Sequence, residues 1–195
     1  MNIVCLYGSP RVKGNSAAIA NKFCGIAINK GANVKSWVLN KLNFRGCQAC
    51  YGCKGKSDKC VLKDDLAEVL EAVRNSDILV LASPVYYGDV SAQLKAFIDR
   101  NFSFLVPDYA HAAKIHRLEG DKTLVMILTQ GSPDKEAFKD IFSKYSTFYK
   151  WMGFEKSELI HACGVMEPSD LKNRQEIFRQ AEELAEKLLY FGNAM

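Results

Sequence analysis

Four of the seven cysteines crowd into one short segment, spaced Cys47-x2-Cys50-x2-Cys53-x6-Cys60 within positions 44–62. Thiolates are soft ligands, and four of them in a single loop can wrap an iron–sulfur cluster. The Cys-x2-Cys-x2-Cys start is like a bacterial ferredoxin run, although the fourth cysteine is further off and no proline follows it. Gly46, Gly52 and Gly55 let the chain curl around such a centre. Two other chemistries stay open for the same residues: a structural zinc ion, which more often uses two separated knuckles, and redox-active thiols without metal. Lys54, Lys56 and Lys59 either offset the charge of a cluster or face water. A disulfide framework is disfavoured by the odd cysteine count and by a reducing compartment.

A second set of residues suits an anion. Gly8-Ser9-Pro10-Arg11-Val12-Lys13-Gly14-Asn15-Ser16 follows one apolar run and opens a helical pattern. A phosphate there meets free backbone N–H groups and the positive end of the helix dipole. Ser9, Asn15 and Ser16 add neutral donors, and Arg11 adds a charged fork. The plainer alternative is a turn with an N-cap. The segment has neither the Gly-x-Gly-x-x-Gly of a dinucleotide site nor the Gly-Lys-Ser/Thr of a triphosphate loop, so a monophosphate without metal is the expected ligand.

Two further loops face the same way. Ser83-Pro84-Val85-Tyr86-Tyr87-Gly88 and Thr129-Gln130-Gly131-Ser132 each close an apolar run. Backbone amides in such turns can bond the polar edge of a flat ring, with tyrosines beside it and Gly88 allowing close approach. Each loop alone reads equally well as punctuation. Three polar, glycine-bearing loops at neighbouring strand ends define one crevice.

The elements that must position these loops are legible from periodicity. Ile3–Tyr7, Val34–Leu39, Ile78–Ala82, Leu124–Leu128 and the pair Leu159-Ile160 read as strands. Helical spacing recurs over Asn15–Lys30, after Asp64 (Leu66, Val69, Leu70, Val73), through Leu94, Phe97 and Ile98, through Phe138, Ile141, Phe142 and Tyr145, and over Ser169–Leu189. Alternating strands and helices imply right-handed crossovers and a parallel sheet covered on both faces, and five strands fit the order 2-1-3-4-5. The ligand crevice of that order lies where it reverses, at the carboxyl ends of the strands. All 195 residues are expected to form one domain, with the cysteine loop at 44–62 and a long aromatic loop at 101–121 as its irregular parts.

Charge is mildly positive, 26 basic against 22 acidic residues, with no basic block of the kind that grips nucleic acid. Met1–Gly8 lacks the form of a signal peptide, and no apolar run approaches the roughly 18 residues of a membrane span. A cytoplasmic protein with no nucleic-acid or membrane partner is expected. His111, His116 and His161 show no metal-ligand spacing, Asp64 and Asp65 read as a helix start, and Cys5, Cys24 and Cys163 as small buried hydrophobes. No nucleophile–base constellation is present.

Together, Gly-Ser-Pro-Arg-x-x-Gly-Asn-Ser, Ser-Pro-Val-Tyr-Tyr-Gly and Thr-Gln-Gly resemble the NADPH-dependent FMN reductase branch of the flavodoxin-like superfamily, over nearly the whole chain. The resemblance implies FMN as cofactor. Its phosphate would sit on Ser9, Arg11, Gly14, Asn15 and Ser16, and its ring on Pro84, Val85, Tyr86, Tyr87 and Gly88. Thr129, Gln130 and Gly131 would line the far side. Within that branch the cysteine pattern resembles the iron–sulfur flavoproteins, implying a [4Fe–4S] cluster on Cys47, Cys50, Cys53 and Cys60 beside the flavin. Relatives that keep several of these cysteines without a cluster leave a relic as a further alternative. The implied function is an oxidoreductase fed by NAD(P)H or a reduced ferredoxin, passing electrons to a small acceptor or redox partner. The alternatives are a non-enzymatic electron carrier and a flavin-binding sensor with a thiol switch. A homodimer or homotetramer is implied, with 101–121 as part of the contact. No catalytic side chain is required, because the flavin carries the chemistry.

Overall fold

The computed structural model describes residues 1–192. Its sheet holds β1 (Asn2–Tyr7), β2 (Asn33–Val38), β3 (Ile78–Tyr86), the two-residue β4 (Asp89–Val90), β5 (Thr123–Gln130) and β6 (Lys156–Cys163). Five of these strands are parallel in the order β2-β1-β3-β5-β6, and β4 hangs antiparallel from β3. This is the expected doubly wound order with one small strand added.

The continuous apolar runs follow from burial on both faces. Val4 and Leu6 of β1, Leu79 and Leu81 of β3, and Leu124, Met126 and Leu128 of β5 point to one side. There they pack with α3 (Leu66–Arg74), α4 (Ala92–Arg100) and α5 (Asp140–Trp151). Ile3, Cys5, Val80, Val125 and Ile127 point to the other, under α1 (Asn15–Asn29) and α6 (Gln175–Gly192). A four-residue helix, α2 (Gly52–Gly55), lies inside the cysteine segment.

Several elements differ from the sequence reading: Phe138 (φ 63°) lies before α5 and Leu39 in a 3₁₀ turn after β2, and three further differences have a clear cause. β3 continues through Ser83-Pro84 to Tyr86, because the chain reverses later, at Tyr87 (φ 49°) and Gly88 (φ 77°). Two successive positive φ values make the primed two-residue turn that suits a hairpin, here β3–β4. β6 spans eight residues, not a pair, but as an edge strand it buries only Ile160, Ala162 and Cys163, so its apolar signal is faint. The closing helix starts at Gln175 instead of Ser169, since Pro168–Leu171 forms a separate 3₁₀ turn held by a reciprocal Glu167–Asp170 capping box.

The 101–121 segment is mostly folded onto its own chain. It opens with a 3₁₀ turn (Asn101–Phe104), is tied by a bridge between Leu105 and His116, and buries Phe104, Leu105 and Leu118. Phe102 packs edge-to-face on both Tyr51 and Tyr109. Tyr109 remains partly exposed.

Candidate functional site: a crevice at the sheet edge and a thiol pocket

β1 leads straight into the first loop. Gly8 N–H donates to Ala82 O (2.8 Å), and a Cβ on Gly8 would meet Leu94 Cβ and Ser91 Oγ at 2.9 Å. Glycine is therefore required for α4 to approach this closely. Ser91 Oγ caps α4 at Leu94 N–H and donates to Gly8 O (2.6 Å), while Ser83 Oγ accepts from Ser91 N–H (2.9 Å). Two fully buried serines thus lock the first and second loops together.

α1 begins with Gly14 as its N-cap, which supplies no side-chain bond, and its first turn holds no acid. The N–H groups of that turn have no intrahelical acceptor and face the crevice. Ser9 Oγ accepts from Arg11 N–H (3.1 Å), which shapes the loop. Asn15 is buried, and its Oδ1 has no hydrogen-bond partner among the described residues. An orphaned acceptor beside free helix donors fits a ligand that combines an anion with hydroxyl groups, as a ribityl phosphate does.

The crevice has a volume of about 260 Å³. All five expected residues of the first loop line it (Ser9, Arg11, Gly14, Asn15, Ser16), as do Pro84, Val85 and Tyr86 from β3, and Thr129 and Gly131 after β5. Tyr87, Gly88 and Gln130 do not line it. Tyr87 is fully exposed at the hairpin tip. Gln130 is buried, with its amide N–H groups donated to Ser132 O and Asp134 O and its Oε1 facing His161 Nε2 (2.8 Å). With that oxygen opposite, His161 Nε2 is the donor, and burial lowers the imidazole pKa.

Sequence reasoning missed the fourth wall, Val165 to Pro168 after β6. Arg11 Nη1 donates to Met166 O (3.2 Å) and lies 3.8 Å from Glu167 Oε2. It also missed the anchor of the hairpin. Asp89 accepts from Tyr145 OH and Lys144 Nζ, both at 2.8 Å. Burial works against the Asp89 charge, but those two donors outweigh it and hold the carboxyl below its ordinary range.

The four cysteines line a different pocket, together with Tyr51, Arg100 and Phe102, and it shares no residue with the crevice. Cys47 and Cys50 are exposed, Cys60 is half-buried and Cys53 is buried. Burial raises the Cys53 thiol, against the pull of Lys54, so a metal must displace its proton. Among the described residues no three Cys, His, Asp or Glu side chains are placed to share one ion. Four thiols walling one pocket are, in their chemistry, the donor set an iron–sulfur cluster takes.

Two of the three lysines of the loop, Lys54 and Lys59, have partners other than sulfur. Lys54 Nζ donates to Phe102 O (2.6 Å) and Leu105 O (2.5 Å) and lies 4.0 Å over the Phe102 ring, and Lys59 pairs with Glu71 at 2.9 Å. Arg117 ties Cys53 O (2.9 Å), Asp58 O (3.0 Å) and Ser103 O (3.0 Å) together. The cation that donates a hydrogen bond to a sulfur is Arg100, fully buried, whose Nε donates to Cys60 Sγ (3.1 Å). Its Nη1 donates to Asp64 Oδ2 (2.7 Å) and Arg45 O (2.8 Å). Burial opposes the Arg100 charge, but Asp64 and Cys60 outweigh it and raise its pKa further. Asp64 Oδ1 also accepts from Leu66 N–H (3.2 Å), so the expected helix-start residue caps α3 and anchors Arg100 as well.

A doubly wound sheet with a phosphate-ready helix terminus at its switch point defines a flavodoxin-like mononucleotide protein. The sequence model of the family described as NADPH-dependent FMN reductase matches residues 1–137, and the chain belongs to this family. An iron-sulfur flavoprotein of Archaeoglobus fulgidus is 34% identical over 137 residues, covering 70% of this chain and 59% of the relative. One of Methanocaldococcus jannaschii is 34% identical over 101 residues, 52% of each chain. The chain thus spans between about half and three-fifths of the length of these relatives. The NAD(P)H:quinone oxidoreductase of Methanothermobacter marburgensis superposes with a TM-score of 0.77 at 19% identity, covering 96% of this chain and 98% of that one. An FMN-dependent NADH-azoreductase from Bacillus anthracis, solved with FMN, gives 0.71 at 14% identity, covering 97% and 100%. These likenesses show the fold.

Proposed function

We propose that the chain is an FMN-dependent oxidoreductase that takes electrons from NAD(P)H or a reduced ferredoxin and passes them to a small acceptor. The observation that carries this reading is the orphaned Asn15 Oδ1 beside the uncapped start of α1, in a crevice at the switch point of the sheet. Arg11 and the first-turn N–H groups would hold the phosphate, and the backbone of Pro84 to Tyr86 would face the ring edge. When bound, FMN supplies two-electron and one-electron chemistry, and a cluster on Cys47, Cys50, Cys53 and Cys60 adds a one-electron store. Ser83 and Ser91 keep the ring-side loop rigid. Tyr86 and the fully exposed Tyr87 support a homodimer or homotetramer in which a second copy covers the hairpin.

The reading is tested by steady-state oxidation of NADPH and NADH with FMN, quinone and azo acceptors, using anaerobically purified protein whose iron and acid-labile sulfide are assayed. Turnover with any acceptor supports the enzyme. Tight FMN binding without turnover leaves the electron carrier. Iron near zero after anaerobic reconstitution, with no EPR signal on reduction, removes the cluster. Light scattering that gives a monomer with and without FMN removes the oligomer.

A further inference from the structure

We propose that Arg100 is a positioning residue that sets the reduction potential of a cluster bound at Cys60, raising it through the Nε–H to Sγ bond. This rests on the cluster reading above. Among the described residues, Arg100 alone of the cations around the loop donates to a sulfur, while Lys54 and Arg117 end on carbonyls. The guanidinium cannot swing away, because Asp64 takes two of its N–H groups and Arg45 O shares one. The geometry is directional: the cation faces Cys60 and Asp64 stands behind it, so the pair is neutral overall but presents its positive end to the sulfur.

Reduction of the cluster adds one electron, from the reduced flavin in turnover or from dithionite in a titration, and no bond forms or breaks. The added negative charge spreads over the cluster and its thiolates. A buried N–H donor and a fixed positive charge at one sulfur stabilise the reduced form more than the oxidised one, which moves the potential upward. The carboxylate partner is needed because an unpaired guanidinium at this depth would be strongly unfavourable.

The test is a potentiometric EPR titration of anaerobically reconstituted protein. Arg100→Gln combined with Asp64→Asn removes both charges together, so neither is left unpaired. The expected result is a cluster potential shifted negative at unchanged iron and sulfide content, with the flavin potential unmoved. Arg100→Lys, which keeps the charge and loses the Nε donor, should shift it less. An unshifted cluster potential in the loaded variants overturns the proposal. If neither variant loads, wild-type protein labelled with ¹⁵N-arginine decides. Pulsed EPR of its reduced cluster should show a coupled nitrogen, and its absence overturns the assignment. Failure of the wild type itself to take up iron removes the cluster reading before any variant is made.

Discussion

Replacing Asn15 with alanine should separate the stability of the empty protein from its affinity for FMN. Asn15 Oδ1 is buried without a partner among the described residues. Leaving such an acceptor unsatisfied costs about 1–3 kcal/mol, and the substitution removes that cost. Alanine also favours the helix by up to about 0.7 kcal/mol. Some packing is lost, so the net gain for the apoprotein is on the order of 1 kcal/mol, or roughly 2–4 °C in Tm for a domain of this size. With FMN bound, a ribityl hydroxyl can donate to Oδ1, and the wild type recovers the about 1–3 kcal/mol that the variant never lost. FMN affinity should therefore fall about tenfold to a hundredfold while apoprotein Tm holds or rises. Differential scanning fluorimetry on the flavin-stripped protein, with fluorescence titration of FMN, reads both quantities. A variant with lower apo Tm and wild-type affinity would refute the assignment of this crevice to the flavin.

Glu167→Gln should tighten FMN binding by less than about fivefold, because the pair with Arg11 is solvent-exposed and such pairs contribute only about 0–1 kcal/mol; the gain should shrink as salt is raised in the titration. Asp64 and Asp89 both have carboxyl pKa values held below the usual range, by Arg100 for the first and by Lys144 and Tyr145 for the second, against the opposing effect of burial. A depressed folded-state pKa adds stability that is present above the unfolded value of about 4 and is lost as pH falls through the folded value. Thermal unfolding from pH 7 to pH 3 should show Tm easing down below about pH 6.5, where burial opposes protonation of His161, and falling more steeply below about pH 4. Asp64→Asn should flatten that acid limb.

What the sequence made legible follows burial. β1, β3 and β5 lie inside the sheet, pack on both faces and announce themselves as unbroken apolar runs. β2 and β6 are edge strands with few buried positions, and only a fragment of β6 could be read. The lining residues before Gly88 were legible because loop chemistry is local. Glycine, serine and asparagine at a strand–helix junction carry their own signal. Val165 to Pro168 reach the crevice only through the return of the last crossover, which no local pattern encodes. Arg100 was equally silent. It reads as an ordinary final-turn cation of a helix, and nothing within ten residues of it indicates that Cys60 and Asp64, at least 36 positions away, are its partners. Lys54 and Lys59, prominent beside the cysteines in the sequence, are spent on carbonyls, an aromatic ring and a glutamate.

α4 gives the two cavities a common mechanical part. Its first residues are bolted to the phosphate loop, where Ser91 Oγ holds Gly8 O and Leu94 leaves no space above Gly8. Its last residue is Arg100, on Cys60. Nine residues at 1.5 Å each make a rod of about 13 Å that bends little and compresses less. A shift of α4 along its axis would therefore disturb the Ser91–Gly8 contact and the guanidinium–sulfur contact together. The phosphate loop and the thiol pocket are thus joined through a single helix, anchored by the buried Ser91 that caps it and by the buried Arg100 that ends it.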